Sequence, residues 1–143
     1  MDAAVAAAFA LGVCEPQASG LGGQTMMLVY TAKTGSTVAL DGSSRAPNRA
    51  VMEAVPEKRF RLHGYKASTV PSTPATLGYA LERFGTFNLP VILEPVIELA
   101  ENGYQITELQ RRLQGRELKN FRKGMLGPFF SKRRPALFCR YRL

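Results

Sequence analysis

Few side chains in this sequence can do acid–base, nucleophilic or metal chemistry, and their spacing narrows the options quickly. His63 is the single histidine, which removes every site that needs two imidazoles, including the paired-His zinc motifs. No serine nucleophile elbow or cysteine partner pattern accompanies it, so no catalytic role is assigned to His63. Cys14 and Cys139 stand at opposite ends of the chain. Two thiols permit one disulfide but make no framework, and their spacing is not that of a metal site. The residues therefore call for no metal and no cofactor. Gly20, Gly22 and Gly23 could cradle an anion, as glycine loops do before helices. They lead instead into a β-forming stretch and lack a phosphate-loop lysine, so they read as a structural turn. Asp41, which follows an apolar run, reads as a turn-capping carboxylate in preference to an acid catalyst.

These residues must be held by an ordered set of elements. Asp2 to Gly12 is an alanine-rich run with almost no polar face, which predicts a helix buried on most sides. Pro16 stops it. Gln24 to Ala32 is rich in β-formers and Met, Lys33 to Ser36 reads as a hairpin turn, and Thr37 to Asp41 returns as a second strand. Met26 and Met27 are both expected to face the core. A long, weakly patterned loop follows from Gly42 to Tyr65, then a short strand-like piece, Lys66 to Val70. Thr73-Pro74 opens a helix with a capping hydroxyl and an early proline. Its apolar face is Leu77, Ala80, Leu81 and Phe84, and Gly85 ends it. Leu89 to Glu94 reads as one short helix and Pro95 as the start of the next, which stops at Gly103. The acidic residues between 94 and 101 read as its solvated face. Thr107 and Gln110 resemble a capping box for a last helix reaching about Lys123. The pattern is α+β, without regular βαβ alternation.

Charge is divided unevenly. The 143 residues carry 19 Lys+Arg against 11 Asp+Glu, a net of +8. Residues 1–110 hold 8 basic and 10 acidic side chains, whereas residues 111–143 hold 11 basic and 1 acidic. The basicity thus belongs to the tail. Clustered charge with interleaved aromatics permits a sequence-blind, salt-dependent interaction with nucleic acid or an anionic membrane through 111–143. The slightly acidic remainder removes the main support for a nucleic-acid partner. The apolar N-terminal run lacks a basic region before it and does not read as a signal peptide, and no apolar run is long enough to span a bilayer.

Several ordered segments are similar to one family. Asp2 to Val13, Glu15-Pro16-Gln17, Ser19 to Gly23 and Met27 to Tyr30 resemble the opening of the γ-glutamyltranspeptidases. The likeness continues through Leu40-Asp41-Gly42, Arg45-Ala46-Pro47, Val70-Pro71, Arg83 to Thr86 and Glu94 to Gly103. It covers about residues 2–113, in order and at the family's spacing. The resemblance implies part of an Ntn-hydrolase fold, an αββα sandwich, incomplete in this chain. Family members cleave themselves into two subunits. The new N-terminal threonine of the small subunit attacks a γ-glutamyl amide such as glutathione, with its own α-amino group as base. The acyl group then passes to water or to an amino acid.

The likeness reaches only the early large subunit. No counterpart of the family's Thr-Thr-His stretch is present, so no catalytic residue is assigned and the isolated chain is expected to be inactive. Its expected partners are a γ-glutamyl small molecule and the small-subunit portion of the same precursor. Family relatives are often periplasmic or extracellular, and the sequence leaves the compartment open. The resemblance also implies an arginine, in an Asp-x-Arg-Glu pattern, that grips the substrate's α-carboxylate. Here the stretch is Asp41-Gly42-Ser43-Ser44-Arg45. Ser43 stands where the arginine belongs, and Arg45, two residues on, would share its side of an extended chain. Arg45 and Ser43 are therefore the candidate substrate-binding residues. Ser72 is a second departure, since the family carries glycine after this proline. The expected division is a family region over 1–113 and a basic tail over 114–143. After Ser131 the text departs from the family, as a frame change would make it.

Overall fold

A computed structural model describes residues 1–54, 57–62 and 64–123. His63, Cys139 and the departure expected after Ser131 lie outside the described residues. Helix α1 (Asp2–Cys14) is followed by a single turn, α2 (Pro16–Ser19). Only Val5 and Phe9 of α1 are buried. Ala3, Ala4, Ala7 and Leu11 are exposed, so the described residues cover only one face of the helix expected to be buried on most sides. Val5 and Phe9 lie four residues apart on one face, and that face is the one α4 and α5 cover.

Strands β1 (Thr25–Thr31) and β2 (Ser36–Gly42) form an antiparallel hairpin in which Val29 pairs with Val38 and Met27 with Leu40. Gly35 takes φ +65° in the connecting turn, a conformation that costs glycine little. Side chains alternate across the sheet. Val29 is buried, and Met27 and Leu40 pack against the core, while Met26, Leu28 and Tyr30 are 67, 79 and 66% exposed on the other face. Met26 and Met27 are thus not both core residues, because neighbours on a strand point opposite ways.

Between Gly42 and Pro71 the chain forms a 3₁₀ turn (Met52–Ala54), the short helix α3 (Lys58–Leu62) and a second 3₁₀ turn (Tyr65–Ala67). The strand expected over 66–70 does not form. Only Val70 pairs, in a single antiparallel bridge with Arg45, and Pro71 has no N–H with which to extend it.

Helix α4 (Thr73–Phe84) buries Leu77, Ala80 and Leu81. Its N-cap is Ser72, whose side chain makes no cap bond. The Thr73 hydroxyl accepts instead from Thr25 Oγ1 at 2.9 Å. Helix α5 (Leu89–Asn102) is continuous through Pro95, so the two helices expected there are one. Ile92 and Val96, on either side of that proline, are both buried against the core. Their packing holds the turn that Pro95 would otherwise break. Helix α6 (Glu108–Lys123) follows and runs across position 113. Thr107 Oγ1 accepts the Gln110 amide at 3.2 Å, one half of the expected capping box. The other half is absent, because the Gln110 amide group donates to the Cys14 carbonyl and to Tyr104 Oη.

The result is an α+β arrangement with α1, α4 and α5 around one core and the hairpin's inner face against it. Two long-range ties close it. Asp2 Oδ1 accepts the Thr86 and Phe87 amides at 2.7 and 2.9 Å. Tyr104 Oη donates to the Cys14 carbonyl at 2.7 Å. Among the described residues no helix is long and apolar enough to cross a membrane.

Candidate functional site

The loop that leaves β2 gathers the candidate residues. Asp41 is the next-to-last residue of the strand, and its Oδ1 accepts from the Ser43 hydroxyl at 2.6 Å and the Ser43 amide at 2.9 Å. Those bonds, the hydroxyl's first, hold the Asp41 carboxyl below the ordinary carboxylate range. Asp41 is thus a turn carboxylate, as its position suggested. Ser44 turns the other way, its amide donating to Gln24 Oε1 at 3.2 Å. Arg45 is exposed, and its backbone carbonyl accepts the Val70 amide at 2.8 Å.

Ser43 and Arg45 are therefore brought together in one short loop, both exposed, with the half-buried Ser44 between them. The alternation is that of an extended chain. Ser43's hydroxyl is committed to Asp41, and among the described residues no ion pair is formed by Arg45, the cation of the loop. A guanidinium in that setting can take a carboxylate bidentately.

Gln24 and Ser72 were not among the candidates. Gln24 carries no sequence signal, since its partner is twenty residues away. Ser72 did carry one, the missing glycine, and its backbone (φ −120°, ψ −15°) is open to any residue. Its hydroxyl donates to the Gly42 carbonyl. Gly42 is buried, and a Cβ there would meet Thr76 Oγ1 and the Thr25 carbonyl, so the close approach of β2 to α4 requires glycine.

The glycine loop behaves as a turn. Gly20's carbonyl accepts the Gly23 amide at 3.0 Å, and Gly23's carbonyl accepts the Ser72 amide at 3.1 Å. Beside it lies a concavity of about 470 Å³ lined by Leu11, Gln17, Gly22, Gln24, Thr25 and Thr73 among others. Gln24 is common to its wall and to the Ser44 contact. Among the described residues no group of three potential metal-ligating side chains occurs.

The family model for Gamma-glutamyltranspeptidase matches residues 1–137. The glutathione hydrolase proenzyme of Escherichia coli (strain K12) is 35% identical over 76% of this chain and 20% of its own length. That of Bacillus subtilis (strain 168) is 40% identical over 74% of this chain and 19% of its own. The crystal structure of Helicobacter pylori gamma-glutamyltranspeptidase superposes with a TM-score of 0.84 at 33% identity, covering 96% of this chain and 41% of that one. The chain spans about a fifth of the length of these curated relatives. With the family's segments in order along it and its fold matched in a solved member, the chain belongs to the γ-glutamyltranspeptidase family.

Proposed function

We infer that this chain is an early large-subunit segment of an enzyme that cleaves γ-glutamyl amides such as glutathione and passes the acyl group to water or an amino acid. The reacting threonine comes from the small-subunit portion of the same precursor. Its hydroxyl adds to the γ-carbonyl while its α-amino group takes the proton. The C–N bond then breaks and the amine leaves with that proton, giving an acyl-enzyme that water or an acceptor amine resolves. In this scheme the present chain binds and does not react: Arg45 takes the α-carboxylate, and Ser43, turned to Asp41, leaves it room. The observation that carries the reading is the loop after β2, where Arg45 is an exposed cation two residues from Ser43 and, among the described residues, forms no ion pair.

The full fold in this reading is an αββα sandwich. Support for it comes from the hairpin, in which each strand pairs only with the other among the described residues. The outer face of Met26, Leu28 and Tyr30 lies open, as a sheet awaiting neighbours would leave it.

The test is release of product from a γ-glutamyl anilide. The purified chain alone gives none, and joining it to the missing C-terminal part of a family proenzyme, the rest of the large subunit with the small subunit, gives turnover. Arg45→Gln in the joined protein raises KM and leaves kcat within a few-fold. Hydrolysis by the chain alone, or an unchanged KM in Arg45→Gln, overturns the reading.

A further inference from the structure

The segment Val70-Pro71-Ser72 lies antiparallel to the loop Gly42–Arg45 and pins it at both ends. At one end the Val70 amide donates to the Arg45 carbonyl at 2.8 Å. At the other the Ser72 hydroxyl donates to the Gly42 carbonyl. Pro71 sits between the pins, and its ring fixes φ, which removes one of the torsions through which the two could shift apart. Ser72 is itself anchored on both sides. Its amide donates to the Gly23 carbonyl at 3.1 Å, and its carbonyl accepts from the Thr76 amide and hydroxyl at 2.9 and 3.0 Å. The residue is thus built into the first turn of α4, a rigid element whose next residues, Thr73 and Leu77, are buried.

Within the pinned span the amides and hydroxyls of the two serines are also used. Ser43 bonds to Asp41 and Ser44 to Gln24. The Arg45 guanidinium is the group that this arrangement leaves to face outward. Removing the Ser72 hydroxyl would free the Gly42 carbonyl, the point where the chain leaves β2, and let the loop pivot about Arg45. Glycine at 72 could keep the backbone path but could not make this bond.

We propose that Ser72 is a positioning residue for the substrate-binding loop: its hydroxyl fixes the Gly42 carbonyl on α4 and so sets the direction in which Arg45 is presented. This rests on the reading of Arg45 as the carboxylate-binding group. Ser72 touches no substrate and acts through Gly42 and the two residues that follow it.

The experiment uses the full chain, with Ser72→Ala, Ser72→Gly and Ser72→Thr compared by amide hydrogen exchange and by NMR titration with glutathione. Losing one such bond should speed exchange at Ser44 and Val70 by roughly two- to tenfold in the Ala and Gly variants. Ser72→Thr, which keeps a hydroxyl, should match the unsubstituted chain. Exchange at Leu81 and Val29, in the core, should stay unchanged in all three and reports that the chain is folded. Glutathione should bind roughly two- to tenfold more weakly to the Ala and Gly variants. Unchanged exchange at Ser44 and Val70 in Ser72→Ala overturns the role, as does acceleration that is equal in core and loop. If Arg45→Gln loses glutathione while Ser72→Ala and Ser72→Gly bind it normally, the Ser72 role fails and the Arg45 reading survives. If Arg45→Gln binds normally, the Arg45 reading fails and this role falls with it.

Discussion

Leu77→Ala tests which face of this fold is its interior. Leu77 is fully buried in the cluster of Val5, Phe9, Ala80, Leu81, Ile92 and Val96. Truncation to alanine deletes the burial of about three carbons, roughly 2–3 kcal/mol by transfer alone. The cavity left behind raises the total to about 3–5 kcal/mol, because Val5 and Phe9 on a neighbouring helix can close it only in part. The matched control is Leu28→Ala. Leu28 is 79% exposed on the outer face of the hairpin, so the same truncation there should fall within about 0.5 kcal/mol of no change. Amide hydrogen exchange resolves the two without requiring a single cooperative transition. Protection of α1, α4 and α5 should drop by roughly a hundredfold to several thousandfold in Leu77→Ala and stay put in Leu28→Ala. Equal losses in the two variants, or a Leu77→Ala cost under about 1 kcal/mol, would refute the assignment of inner and outer faces.

Two further outcomes are expected. The Phe87 and Thr86 amides hold the Asp2 carboxyl down at about 2 from its ordinary 3.8. A depressed carboxyl adds stability above its unfolded pKa and loses it as pH falls through the folded one. Protection of the Thr86 and Phe87 amides should therefore decline between about pH 4 and pH 2, and Asp2→Asn should flatten that dependence. Pro95→Ala should stabilise α5 by about 1–3 kcal/mol, since it restores a helix donor inside Leu89–Asn102. Urea denaturation followed by helical circular dichroism measures the gain, and a loss there would mean that the proline ring packs.

Local chemistry made much of the fold readable, and the readings failed where distant packing decided the outcome. The hairpin followed from its β-formers and the Lys33–Ser36 turn, and α4 from its apolar spacing and Gly85. Pro95 misled because a proline rule is local, whereas Ile92 and Val96 find their partners on α1. The uniformly apolar α1 carries no marker of which face is buried, so Val5 and Phe9 could not be told from Leu11. Met26 and Met27 posed the same problem at a period of two. At the proposed site, the turn in which Asp41 accepts from Ser43 was legible because the two are neighbours in sequence, whereas Ser43 and Arg45 became candidates only through the family resemblance. The bonds from Gln24 to Ser44 and from Ser72 to Gly42 span 20 and 30 positions, and no local pattern encodes them.

The two ties that close the body, Asp2 to Thr86 and Phe87 and Tyr104 to Cys14, join α1 to residues made some ninety positions later. On a ribosome adding about 5–20 residues per second, α1 waits roughly 5–20 s before α5 and Tyr104 exist to receive it. Its Val5–Phe9 face has neither α4 nor α5 to cover it for most of that interval. The order of synthesis thus leaves α1 waiting for partners made much later, and its Val5–Phe9 face is the apolar surface a holding chaperone would meet meanwhile.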